Sequence, residues 1–102
     1  MSELIERIEA SSEGSRELDK KLCAIYLGHP VPLGCPIPRY TTSIDAALTL
    51  VPAGFDWRVG HYAGHPNAGA VVATPEIEAT RCDAATPALA LCAAALKARE
   101  WV

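Results

Sequence analysis

The chain has 102 residues, a net charge of −3, 50% apolar residues and 21% charged ones. That size and balance suit one folded core of ordinary stability, so two independent domains and a disordered tail are both excluded. The acidic balance argues against coating a phosphate backbone, so no nucleic-acid partner is expected.

The opening stretch carries Glu3, Glu6 and Glu9 and has neither the basic start nor the apolar run of a secretory signal. The longest apolar stretch, Ala88 to Leu96, is too short to cross a bilayer. The expectation is therefore a cytoplasmic protein with no membrane partner. Cys23, Cys35, Cys82 and Cys92 include no C-x-x-C pair, and in a reducing compartment they read as free thiols rather than as a metal or redox set. Much of the apolar content is alanine, which buries little area per residue. A thin core of that kind favours cover from a second subunit, so a homo-oligomer, most simply a dimer, is expected.

In chain order, Ser2 can cap a first short helix with Leu4, Ile5 and Ile8 on one face, and a linker completes residues 1–14. A second helix follows Ser15, with Leu18, Leu22, Ile25 and Tyr26 at helical spacing, and Gly28 stops it. Residues 28–42 hold Pro30, Pro32, Pro36 and Pro38 and form a connector that is neither helix nor central strand. Ser43 caps a third helix through Ile44, Ala47, Leu48 and Val51, which Pro52 and Gly54 end.

The period then changes from helix to strand. Phe55, Trp57 and Val59 alternate with Asp56, Arg58 and Gly60, as in a strand with one buried face. The turn formers from Gly64 to Gly69 lead to Val71-Val72 and predict an antiparallel hairpin. Pro75 interrupts that second strand, and residues 77–82 form either a bent continuation or, as favoured here, a third strand. Thr86 and Pro87 open a last helix with Leu89, Cys92, Ala93 and Leu96 on one face. The order of three helices, three strands and a helix describes a single α+β domain, in which an antiparallel meander of two or three strands is packed by about four helices.

Two segments, Arg39-Tyr40-Thr41-Thr42-Ser43-Ile44-Asp45-Ala46-Ala47-Leu48 and Ala85-Thr86-Pro87-Ala88-Leu89-Ala90-Leu91-Cys92-Ala93-Ala94-Ala95-Leu96, resemble small phage and prophage proteins carrying the phage ABA-sandwich domain. With the Phe55-Asp56-Trp57 strand between them, the resemblance spans roughly residues 15 to 100. It implies a small αβα sandwich and a phage origin. It implies no activity.

The common hydrolase, nucleotidase and zinc-deaminase signatures are missing, so no enzyme and no cofactor are expected. His61 and His65 stand four apart, but Gly60, Gly64 and Pro66 rule out the helix that would align them on a metal. One constellation remains: Arg39, Tyr40, Thr41, Thr42 and Ser43 before the third helix, with Trp57, Arg58, His61 and Tyr62 on the first strand. Guanidinium groups pair with phosphate, hydroxyls and helix N-terminal amides add donors, and aromatic rings stack on a base. Trp57 also fits the core, in phase with Phe55 and Val59. Two functions stay open. One is a homo-oligomeric binder that sequesters a nucleotide-type small molecule such as a host defence signal. The other is a protein-interaction module that inhibits or adapts a host or phage protein, with Tyr62 and Trp101 as anchors.

Overall fold

Hydroxyl side chains start three of the helices. Ser15 Oγ accepts the Leu18 N–H at 3.2 Å, Ser43 Oγ accepts the Ala46 N–H at 3.3 Å, and Thr86 Oγ1 accepts the Leu89 N–H at 3.2 Å. Each satisfies an amide that the first helical turn leaves without a partner. The computed structural model describes residues 2–51, 53–61, 67–73 and 80–99. Its elements are α1 (Ser2–Ala10), α2 (Arg16–Leu27), α3 (Ile44–Leu48), β1 (Asp56–His61), β2 (Ala68–Ala73), β3 (Thr80–Ala84) and α4 (Pro87–Arg99). The chain thus adopts the expected α+β fold, an antiparallel three-stranded meander packed by helices.

Gly28 ends α2 at φ 80°, where its N–H donates to the Ala24 and Ile25 carbonyls. Only a residue without a Cβ reaches that left-handed region at no cost. The third helix is shorter than its apolar spacing predicts. It stops at Leu48, and the amides of Thr49, Leu50 and Val51 bond three residues back rather than four. Thr49 Oγ1 donates to the Ala46 carbonyl at 2.6 Å, and Val51 precedes a proline, which disfavours the α conformation.

The sheet order is β1-β2-β3, and β3 is a separate strand rather than a bent continuation of β2. It runs two residues past Cys82, while residues 74–79, where the sequence places its start, lie outside the described residues. Trp57, Val72 and Thr80 form one row across the strands, and Val59, Ala70 and Cys82 another. Ala70, Val72, Cys82 and Ala84 on this inner face are buried in the core. Arg58, Val71 and Arg81 form a row on the opposite, outer face, beside Gly60, Gly69 and Asp83.

α4 is buried on every side, not along the single stripe the sequence predicts: Ala88 to Leu96 and Ala98 are all enclosed. It lies between the inner face, chiefly β2 and β3, and a second layer made by α1 and α3. Alanine makes this possible, because its short side chain lets backbones approach on both sides of one helix.

Candidate functional site

The connector returns to the core through a buried carboxylate. Asp19 on α2 is fully enclosed, and its Oδ1 accepts the Thr41 N–H at 2.8 Å and the Thr41 hydroxyl at 2.7 Å. Arg16 Nη1 donates to Oδ2 at 3.0 Å, while Arg16 Nη2 holds the Ile37 carbonyl at 2.9 Å. Thr41 Oγ1 also accepts the Ser15 N–H at 2.9 Å. Beside it, the Cys92 thiol donates to the Tyr40 carbonyl at 3.1 Å.

These contacts decide what the segment Arg39 to Ser43 can do. Tyr40 and Thr41 are buried, and Ser43 is committed to capping α3, so none of the three offers a free side chain to a ligand. Arg39 and Thr42 are exposed. Thr42 borders a shallow hollow of about 310 Å³ with Glu13, Gly14 and Thr86, whose one charged residue is an acid and does not suit a phosphate.

Trp57 and Arg58 belong to a different concavity. It measures about 750 Å³, and its floor is the outer face of the sheet at Gly60, Gly69 and Val71. Arg58 and Arg81 flank Val71 in one cross-strand row, which sets their backbones about 9–10 Å apart, two strand spacings. Both arginines line this hollow. Arg58 makes no hydrogen bond or ion pair with any described residue, whereas Arg81 Nε lies 3.6 Å from Asp83 Oδ1. A Cβ added at Gly60 would meet nothing within 4 Å, so the floor is open there.

Trp57 is not the core residue that its phase with Phe55 and Val59 predicts. It takes an inner-face position opposite Val72, yet 46% of it stays exposed, because β1 is the sheet edge and α4 sits mainly on β2 and β3. His61 ends β1 opposite Ala68, and Tyr62 lies outside the described residues. The nine expected site residues therefore do not share one hollow. Sequence reading missed Arg81, which only the β2–β3 register brings beside Arg58.

Two of the thiols are poor nucleophiles. Burial pushes the Cys92 thiol far above its usual range, with Asp19 adding to the effect. Burial also raises Cys82, although Lys97 pulls the other way. Both stay protonated and inert near neutrality. All four cysteines are free, and among the described residues no three His, Cys, Asp or Glu side chains gather to hold a metal. No described helix is long and apolar enough to cross a membrane. No family model, curated protein or solved structure matches the chain significantly.

Proposed function

We propose that the protein is a non-enzymatic binding module that holds a compact phosphorylated ligand of the nucleotide type on the outer face of its sheet. The observation that carries this reading is Arg58, without a hydrogen-bond or ion-pair partner among the described residues, standing across Val71 from Arg81 beside the open position at Gly60. Two guanidiniums lining one hollow suit one anion, and the missing side chain at Gly60 leaves open space beside them. Trp57 borders this hollow but takes an inner-face position at the sheet edge, so the ligand contacts fall to the two arginines. Sequestration of a host defence signal by a homo-oligomer is the biological role we propose for such a module.

Calorimetry against linear and cyclic nucleotides tests the reading. Arg58→Ala or Arg81→Ala should each weaken binding by about 1.5–3 kcal/mol, the worth of a hydrogen bond to a charged group. Gly60→Val should block the floor while leaving the fold intact. If no nucleotide binds, or if binding survives both arginine substitutions, the reading fails. Protein interaction then becomes the better function, favoured by Leu33, Tyr26 and Leu27, which are exposed on the connector and at the end of α2.

A further inference from the structure

The edge of the sheet carries more information than its face. β1 is paired on one side only, by β2, and its other side presents unpaired backbone groups among the described residues. An open edge is a template for a further strand unless the chain blocks it with proline, a bulge or cover. The sequence from Phe55 to His61 contains no proline, and β1 pairs with β2 residue for residue from Asp56 to His61, so it carries no bulge.

We propose that β1 pairs antiparallel with β1 of a second copy of this chain, centred on Trp57, to give a continuous six-stranded sheet. The register follows from side-chain chemistry. Two identical antiparallel strands must meet on a two-fold axis, and side chains keep to their own faces when the axis passes through one residue position. An axis at Asp56 sets two carboxylates opposite each other, and one at Arg58 sets two guanidiniums opposite each other. Like charges directly across a ladder are destabilising. An axis at Val59 leaves Arg58 opposite Gly60, with no charge to meet.

An axis at Trp57 satisfies every position from Phe55 to Val59. On the outer face Asp56 of each copy stands opposite Arg58 of the other, twice by symmetry. Neither residue has an ion-pair partner among the described residues of its own chain. On the inner face the two Trp57 side chains meet at the axis, and extending β1 by one residue sets Phe55 opposite Val59, half-buried apolar residues both. This pairing covers the Trp57 surface that α4 leaves bare. It places both α4 helices on the same side of the joined sheet and leaves the outer faces continuous.

The inference specifies the oligomeric part of the function proposed above and does not depend on whether a ligand binds. A pairing of this length buries less than a standard protein interface, so the dimer should dissociate in the micromolar range. Sedimentation equilibrium of the full chain over a wide concentration range, without nucleotide, is the test, with circular dichroism confirming that each variant is folded. The wild type should associate to a dimer. D56R and R58D should each weaken it about tenfold or more, because two attractive pairs become repulsive. The double variant D56R/R58D should restore the dimer to within about threefold of wild type, since the swap recreates the same two pairs. A wild type that stays monomeric overturns the proposal. So does a dimer that neither single reversal weakens, or one that the swap fails to rescue. Calorimetry with nucleotides reads the face separately, so each reading can fail without the other.

Discussion

Replacing Asp19 by alanine removes the group on which the connector hangs. Three donors converge on this carboxylate: the Thr41 amide at 2.8 Å, the Thr41 hydroxyl at 2.7 Å and the Arg16 guanidinium at 3.0 Å. The hydroxyl has a second acceptor, the Ser15 carbonyl at 3.2 Å, and Arg16 is half exposed, so both find other partners. The Thr41 amide has none and stays buried without an acceptor. That alone costs about 1–3 kcal/mol, and the small cavity brings the expected loss to about 2–4 kcal/mol. For a domain of this size the melting temperature should fall by roughly 8–32 °C, at about 4–8 °C per kcal/mol. Asp19→Asn keeps an oxygen for Thr41 but loses the charge, and should cost less, about 1–2 kcal/mol. Arg16→Ala should cost only about 0.5–1 kcal/mol, because its half of the ion pair faces solvent. Urea denaturation of the three variants measures these differences. An Asp19→Ala loss under about 0.5 kcal/mol, or an Arg16→Ala loss equal to it, would refute the idea that Asp19 anchors the connector.

Alkaline pH should weaken the fold through Cys92. Its folded-state ionisation is raised above that of the unfolded thiol by burial, so its contribution is fully present below about pH 8.5 and is lost as pH rises above that value. The slope from this one group approaches about 1.4 kcal/mol per pH unit, and Cys92→Ala should flatten the stability curve between pH 8.5 and about 10.5; an unchanged slope would exclude the thiol as its source. Gly14→Ala should destabilise by about 1–3 kcal/mol, as overpacking does, because the added Cβ would overlap the Thr41 carbonyl oxygen in a connector that Asp19 already fixes. A Gly14→Ala melting curve superimposable on wild type would show that the connector moves freely.

The helix starts were legible because capping is local: Ser15, Ser43 and Thr86 precede their helices in sequence and act within three residues. The β1–β2 pairing was legible for the same reason, since alternation and turn formers sit side by side along the chain. The environment of α4 was not. A run of alanine and leucine has apolar residues on every face, and the stripe drawn through Leu89, Cys92, Ala93 and Leu96 could not show that a sheet covers one side and helices the other. The site suffered most. Tyr40 and Thr41 looked like ligand groups beside a helix start, but their partners, Asp19 and Cys92, lie 22 and 52 residues away. Arg81 was missed because its relation to Arg58 exists only through the register of three strands.

The arrangement of layers ties these observations to function. One alanine-rich helix gives its whole circumference to the core, so the chain has used its helical packing on the inner side of the sheet. Among the described residues the outer face carries few large side chains, with Gly60 and Gly69 contributing none, and its two arginines argue against a dry contact. The edge differs, because Phe55, Trp57 and Val59 are apolar while Asp56 and Arg58 are charges of opposite sign two residues apart. A face poor in bulk and rich in guanidinium suits a small anion, whereas an edge with apolar and complementary charged positions suits another strand like itself. The two surfaces meet at Arg58, whose five N–H donors let it hold a partner carboxylate and still offer donors to a phosphate. Charge reversal at Arg58 should therefore weaken both association and ligand binding, while reversal at Asp56 should act mainly on association.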